Sequence, residues 1–203
     1  MKSATDHLNS ISLLAVFGPL LVLISSCATA QSPEIVYPPD ARRILSNYQV
    51  LSGVRGGIRG SPHTGIDIEA EIGEPVLAAA DGIVFRADST VEAEHRVFIA
   101  HGRDSDGNYL MSVHFHNSHN LVEKDQKVRR GQPIALAGST GTQGFTHFGV
   151  FKSATRGPSS EWKYANPHEY WMEGPYRITC FDPAKNYPAS PIRFTYPVEC
   201  KRR

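Results

Sequence analysis

The sequence has almost no excess of charge of either sign. Its 21 Lys and Arg residues nearly cancel 20 Asp and Glu residues, which leaves a formal net charge of +1 at pH 7. This balance gives no reason to expect a nucleic acid as partner, because proteins that bind one usually carry a basic surface. Internal repeats and low-complexity tracts are also absent. The 203 residues, 40% hydrophobic and 20% charged, are typical of one globular domain with appendages.

No apolar run is long enough for a comfortable membrane span. Ile11–Ile24 is mostly apolar, but its length of about fourteen residues suits a signal peptide better than a transmembrane helix. The following Ile24-Ser25-Ser26-Cys27 resembles a bacterial lipobox, which predicts cleavage before Cys27 and a lipid anchor on that residue. The alternative is ordinary cleavage after Ala28-Thr29-Ala30. With either cleavage, residues 1–30 are a targeting segment, and the protein is exported to the periplasm or cell envelope, as a membrane-anchored lipoprotein in the first case.

Cysteine is scarce, with three residues in the chain. If Cys27 is lipidated or removed, Cys180 and Cys200 remain, and an exported protein with two cysteines is expected to join them. A disulfide of this kind stabilises a protein by roughly 3 kcal/mol through its effect on the unfolded state. The alternative is a pair of distant free thiols.

Glycine and proline are abundant, at 17 and 14 residues, and they predict turns and short strands rather than long helices. Residues 31–51 are interpreted as a tether followed by a short helix over Ala41–Tyr48, with Asp40 as its N-cap. Ser52–Gly60 is rich in glycine but has neither the P-loop nor the dinucleotide-binding pattern. Asp81-Gly82, between two apolar segments, predicts a β-hairpin.

The rest of the chain predicts a mainly β fold. Apolar segments of strand length recur through residues 52–154, as expected of an antiparallel sheet or an open barrel. Residues 155–203 are an irregular extension, rich in proline and aromatic residues, that we expect to pack on the sheet. Its aromatic residues are interpreted as packing residues rather than as a glycan platform.

The segment around His63 and Asp67 is the first candidate for a functional site. Pro62 and Gly65 argue against a helix there, while Ile66 and Ile68 favour a strand. In an extended chain His63, Gly65 and Asp67 face the same way, and one imidazole beside one carboxylate suits a divalent metal, most plausibly zinc.

Other histidines could complete such a site. His147 follows a glycine turn on a later strand, and His114 and His116 alternate along an earlier strand, so we expect these two to share a face. If the strands are neighbours, His63, Asp67 and His147 would supply three ligands and leave a fourth position open, as in catalytic zinc sites. His116 is then the candidate for proton transfer or oxyanion stabilisation. The remaining histidines within the core and extension match no such position and are predicted to lie at the surface or in turns: His95, His101, His119 and His168.

From about Ser52 to Val150 the chain resembles the LytM or lysostaphin-type zinc endopeptidases, which cut peptides of the bacterial cell wall. His63-Thr64-Gly65-Ile66-Asp67 is similar to the family's His-x-x-x-Asp element. Later segments match in order and spacing: Gly73-Glu74-Pro75-Val76, Ala80-Asp81-Gly82-Ile83-Val84, Val128-x-x-Gly131-Gln132-x-Ile134, and Gly138-Ser139-Thr140-Gly141. The resemblance implies an antiparallel core of the duplicated hybrid motif type. It also implies zinc held by His63, Asp67 and His147, and peptidoglycan peptides as substrates.

The chain departs from the family pattern at two positions. The family's last element is His-x-His-Phe, but Phe145 stands in place of the first, catalytic histidine. The family's Tyr-x-His-Leu element becomes His114-Phe115-His116-Asn117, so His116 keeps the place of the other catalytic histidine and His114 replaces the tyrosine. We hypothesise that His114 compensates for Phe145.

Three functions follow from these patterns. The leading prediction is a zinc metalloendopeptidase that hydrolyses stem peptides or cross-bridges of peptidoglycan. The alternative is an envelope module that keeps the zinc but is weakly active or inactive, and binds the wall or regulates another hydrolase. A metal-stabilised structural lipoprotein is the third. The sequence gives no firm indication of oligomeric state.

Overall fold

A computed structural model describes residues 33–50, 61–91, 94–140, 142–157 and 160–201. The predicted signal peptide, the lipid anchor on Cys27 and the glycine-rich segment 52–60 lie outside the described residues. Within these ranges, no helix is long and apolar enough to cross a membrane.

Ten β-strands, joined in one sheet, make up nearly all of the regular structure in the described ranges. They are β1 (Ile44–Ser46), β2 (Gly65–Glu69), β3 (Pro75–Leu77), β4 (Gly82–Thr90), β5 (Glu94–Arg103), β6 (Tyr109–Asn120), β7 (Lys127–Val128), β8 (Pro133–Thr140), β9 (Gln143–Ser153) and β10 (Lys163–Ala165). A single turn of 3-10 helix, Pro167–Glu169, follows β10.

The strands run in the order β1-β2-β9-β8-β6-β5-β4-β7, with β3 on β8 and β10 on β9. Strand β9 also pairs with β6, and every pairing between these strands is antiparallel. The prediction of a mainly β, antiparallel core is therefore confirmed. Strand β9 is central to this arrangement, because it contacts β2 on one side and both β6 and β8 on the other.

The predicted helix over Ala41–Tyr48 is wrong, since this segment contains strand β1. Ile44 pairs with Ile68, and Ser46 pairs with Asp67, along the free edge of β2. Pairing with β2 satisfies backbone groups across the sheet, and this long-range gain outweighs the weak local preference for a helix that begins at Asp40.

The predicted hairpin at Asp81-Gly82 is also wrong. Strand β3 pairs with β8, and β4 pairs with β5 and β7, so the two segments that flank the dipeptide separate. Between them the chain passes through the interior, where Ala78, Ala79 and Ala80 are fully buried. These three small side chains fit in the interior. Their apolar character is therefore explained by burial of the connection between β3 and β4, and no hairpin is needed.

The core lies on one face of the central strands, beneath the C-terminal extension. Ile66 and Ile68 of β2 and Phe148 of β9 are fully buried on this face. Trp171 of the extension stacks on Phe148 with ring centroids 5.8 Å apart, and Phe194 meets the same ring edge-on. Each large apolar side chain buried in this way stabilises the fold by roughly 1.5–3 kcal/mol.

The extension is further fixed by a disulfide and by backbone hydrogen bonds. Cys180 and Cys200 are joined, as predicted. Val198 forms an isolated bridge with Val76 of β3, so the end of the extension is tied directly to the sheet.

Candidate metal centre

The pairing of β2 with β9 brings two predicted ligands together. In this antiparallel pair Asp67 lies directly opposite His147, and Gly65 lies opposite Gly149. Directly opposed residues point to the same face, so the carboxylate and the imidazole meet on the face away from the core. His63 lies two residues before β2 and contributes its imidazole from the same side.

The three side chains converge on one point. His63 Nε2 lies 3.0 Å from His147 Nδ1 and 3.2 Å from Asp67 Oδ1. His147 Nδ1 lies 3.1 Å from the same Asp67 oxygen. Within the described part of the chain, these residues are the one group of three or more His, Cys, Asp or Glu side chains arranged to hold a metal ion.

Ser46, the last residue of β1, and Asn47, which follows it, set the orientation and tautomer of His63. Its Nδ1 lies 2.9 Å from the carbonyl oxygen of Asn47 and 3.2 Å from the hydroxyl oxygen of Ser46. A carbonyl oxygen can only accept, so Nδ1 carries the proton and donates it. The lone pair of the neutral ring is then on Nε2, the atom that faces Asp67 and His147. This is the arrangement in which histidines usually bind a metal.

The charge of Asp67 is stabilised by the two imidazoles. Burial raises its pKa, but when the imidazoles of His147 and His63 are protonated, their hydrogen bonds and electrostatic attraction outweigh this effect and bring the pKa well below its ordinary value. The side chains of Asp67 and His147 are each only 5% exposed. A buried carboxylate that stays ionised is a strong ligand for a cation.

The geometry of the three atoms fits zinc. Tetrahedral zinc lies about 2.0–2.2 Å from nitrogen and oxygen ligands, which places those ligands about 3.3 Å from one another. The separations of 3.0–3.2 Å are close to this value. Two imidazole nitrogens and one carboxylate oxygen also match the ligand set of catalytic zinc sites, in which a fourth position stays open.

Gly65 makes room for the site, and Gly149 on the facing strand makes room for Val113 of β6. A Cβ on Gly65 would lie 2.4 Å from the carbonyl oxygen of Phe148 and 2.7 Å from Nε2 of His147. A Cβ on Gly149 would lie 2.8 Å from Cγ2 of Val113. The small residue between His63 and Asp67 therefore accommodates the imidazole of His147, which lies against the backbone of β2.

His116 lies beside the three ligands. Its ring centroid is 6.3 Å from that of His147, with the two rings nearly perpendicular. The residue is only partly buried and adopts a left-handed backbone conformation, with φ of 58°. This conformation interrupts the regular alternation of side chains between the two faces of β6. The imidazole of His116 therefore lies on the face that carries the metal ligands.

His114 does not share that face with His116, contrary to expectation. It lies opposite Phe148 in the β6–β9 pair and is fully buried on the core side. Its Nε2 lies 3.3 Å from the hydroxyl of Ser112, which in turn lies 2.8 Å from Nε2 of His101. Burial lowers the pKa of His114 to about 3, so the ring is neutral at physiological pH. The hypothesis that His114 compensates for Phe145 therefore loses its geometric basis.

Phe145 occupies the position that the resemblance assigns to a catalytic histidine. It is 2% exposed, and its ring centroid is 5.2 Å from that of His116. Because Phe145 precedes His147 by two residues on β9, both point to the same face. A hydrocarbon ring thus stands beside the three ligands where a proton-handling group was expected.

Sequence reasoning missed the groups that support the ligands. Ser46 and Asn47 hold His63, and Phe115 stacks on His147 with ring centroids 5.4 Å apart and planes inclined by 10°. Spacing within the sequence gives no sign of these contacts, because they depend on the pairing of β1 with β2 and of β6 with β9.

Comparison with known proteins agrees with this geometry. Residues 61–158 match peptidase family M23. This segment is an M23 peptidase domain. The match confirms the resemblance to LytM and lysostaphin-type enzymes and includes all three predicted ligands.

Relatives of the M23 domain include both an enzyme and an activator. The peptidoglycan DD-endopeptidase ShyA of Vibrio cholerae is 40% identical over 106 residues, which are 52% of this chain and 24% of that protein. The murein hydrolase activator NlpD of Salmonella typhimurium is 40% identical over 106 residues, 52% of this chain and 25% of that protein. The chain thus spans about a quarter of the length of these curated relatives.

Among solved structures, the catalytic domain of lysostaphin from Staphylococcus simulans is similar, with a TM-score of 0.48 and 23% identity. The likeness covers 62% of this chain and 89% of that domain.

Proposed function

We propose that this protein is a zinc-dependent endopeptidase that hydrolyses peptide bonds in the stem peptides or cross-bridges of peptidoglycan. The observation that carries the proposal is the convergence of His63, Asp67 and His147 within 3.2 Å, inside an M23 domain. M23 peptidases are zinc-dependent, and the donor atoms present here fit that metal.

His63, Asp67 and His147 would hold the ion, and His116 would handle the proton. Bound zinc polarises a substrate carbonyl and makes water a better nucleophile at neutral pH. His116, on the same face and partly exposed, is placed to donate a hydrogen bond to the developing oxyanion or to protonate the leaving amine. Phe115 keeps the ring of His147 in place, and the carbonyl of Asn47, the residue after β1, does the same for His63.

The same proposal includes the location and the anchor. A peptidoglycan substrate requires an exported protein, and the lipobox-like Ile24-Ser25-Ser26-Cys27 supports attachment to a membrane through a lipid on Cys27. Metabolic labelling with a fatty acid, compared between wild type and Cys27→Ser, tests the anchor directly.

The hydrolase is tested by digesting purified peptidoglycan with the zinc-loaded full chain. Wild type should release peptides, and Asp67→Asn, which is nearly isosteric but lacks the ligand charge, should not. Chelation should stop the reaction, and added zinc should restore it. Absence of cleavage by zinc-loaded wild type would contradict the proposal.

A second candidate function is a zinc-retaining module that activates another wall hydrolase. Phe145 favours it, because the loss of one general acid or base commonly costs ~10²–10⁴ in rate. One relative is itself described as a murein hydrolase activator.

The variant Phe145→His separates the two candidates. If wild type is inactive and Phe145→His cleaves peptidoglycan, the site is intact but lacks its second catalytic imidazole, and the activator is supported. If wild type cleaves at a rate within about tenfold of Phe145→His, the missing imidazole is dispensable and the enzyme is supported.

A further inference from the structure

Two cavities adjoin along strands β4 and β5, apart from the metal centre. They have volumes of about 380 Å³ and about 470 Å³. Ala100, His101 and Arg156 line both, so the cavities are neighbours, and we call the pair the basic trough. None of the three metal ligands lines either cavity.

The first cavity has an apolar wall. Phe85, Leu110 and Trp162 contribute to it, and Phe85 remains 56% exposed. A large exposed aromatic side chain beside a cavity is a common feature of interaction sites.

Two polar side chains that also line the first cavity, His101 and Tyr109, already have hydrogen-bond partners. His101 lies 2.7 Å from the carbonyl oxygen of Asp81 through Nδ1 and 2.8 Å from the hydroxyl of Ser112 through Nε2. The hydroxyl of Tyr109 accepts a hydrogen bond of 2.8 Å from Arg103. A sugar needs several side-chain hydrogen bonds, so the wall suits an apolar side chain better than a saccharide.

Three cationic side chains line the basic trough. Arg156 lines both cavities, and Lys127 and Arg129 line the second. All three side chains are exposed, and among the residues that the structure describes no carboxylate forms an ion pair with them. Asp81 is the acidic residue of the lining, and its Oδ1 accepts a hydrogen bond of 2.7 Å from the backbone of Arg130.

We propose that the basic trough binds an acidic peptide segment of a partner protein. An aromatic or large aliphatic side chain of that segment enters the first cavity, and its carboxylates lie against Arg156, Arg129 and Lys127. Charge complementarity selects the acidic partner and speeds its association. Exposed ion pairs contribute little individually, so the buried side chain supplies most of the affinity, and both features are needed together. The inference does not depend on hydrolysis at the metal centre.

The test measures binding of a synthetic, fluorescein-labelled peptide with one tryptophan between two aspartates and two glutamates. Fluorescence anisotropy with the full chain at low ionic strength should show saturable binding that weakens with added salt. Arg156→Glu should weaken binding by about tenfold, since it replaces attraction by repulsion. Trp162→Ala should weaken it by about tenfold because it removes part of the apolar wall.

Matched controls define the outcome. Lys124→Glu makes the same change of charge at an exposed lysine that lines neither cavity, and should leave the affinity unchanged. Peptides with serine in place of tryptophan, or with lysines in place of the acids, should bind at least about tenfold more weakly. Equal binding of either control peptide, or equal loss with Lys124→Glu, would overturn the proposal. So would the absence of peptide binding together with retention of peptidoglycan that depends on Arg156, because the occupant would then be the wall itself.

Discussion

The imidazole of His116 meets that of His147 edge-on, with ring centroids 6.3 Å apart. One ring belongs to the proposed ligand set and the other does not. Replacement of His116 should therefore separate catalysis from metal binding.

His116→Asn should slow peptidoglycan hydrolysis by ~10²–10⁴ and leave the zinc content unchanged. Asparagine tolerates the left-handed backbone at this position, so the fold should be preserved. The rate of peptide release and the zinc bound per chain measure the two effects. Loss of zinc together with activity would show that His116 is a ligand instead.

Zinc should stabilise the protein, because the ion binds a site that exists only in the folded state. At a free zinc concentration of 100 times the dissociation constant the gain is about 2.7 kcal/mol. The thermal midpoint of wild type should rise with zinc and fall with chelator, whereas that of His147→Ala should not respond. His119→Ala, at an exposed histidine, is the control and should respond like wild type.

Gly65→Ala should destabilise the protein by about 1–3 kcal/mol and weaken zinc binding, because the new methyl group would overlap the Phe148 carbonyl and the His147 ring. Urea unfolding and zinc titration measure the two losses. Gly102→Ala is the matched control, since its Cβ meets only the Ile192 side chain, with Cγ1 at 3.3 Å and Cδ1 at 3.5 Å. If both substitutions cost the same, the close approach of β2 and β9 is not responsible.

Stability should fall as the pH drops from about 6.5 towards 4, because buried histidines, His101 and His168 among them, resist protonation. Burial lowers the pKa of both His101 and His168 to about 4. Between about pH 6.5 and pH 4, these two histidines are protonated in the unfolded chain but remain neutral in the folded chain. Lowering the pH therefore favours unfolding.

At pH 5 each histidine should account for about 2 kcal/mol of the loss. Urea unfolding at pH 7.5 and pH 5, in the presence of chelator, gives the difference for wild type. His101→Gln should reduce that difference, and an unchanged difference in both His101→Gln and His168→Gln would exclude this origin of acid sensitivity.

Removal of the Cys180–Cys200 disulfide should lower the free energy of unfolding by roughly 3 kcal/mol. The double substitution Cys180→Ser with Cys200→Ser avoids an unpaired thiol. Its urea midpoint, compared with that of wild type, measures the loss, and equal midpoints would show that the extension is held by packing alone.

The metal ligands could be predicted from the sequence because their spacing reflects strand geometry. A residue period of two places His63, Gly65 and Asp67 on one face, and it places Phe145 and His147 on one face of another strand. The resemblance supplied what periodicity could not, namely that these two strands are neighbours in the sheet.

The face of His114 could not be predicted, because one residue changes the alternation. A regular strand would place His114 and His116 together, but the φ of 58° at His116 interrupts the pattern. Histidine does not require this conformation, and nothing in the local sequence predicts it.

The burial of His101 and His168, which were expected at the surface, could not be predicted either. Their hydrogen-bond partners come from distant parts of the chain.

The Asn47 carbonyl that fixes His63 lies outside residues 61–158, the span shared with the M23 family. So do Trp171 and Phe194, which cover the core face of β9. A fragment limited to residues 61–158 would keep His63, Asp67 and His147. It would lose the hydrogen bond that orients His63 and would expose the core face of β9, the strand that carries His147. Expressing this metal centre alone, or transferring it to another protein, thus requires the segments before residue 61 and after residue 158 as well.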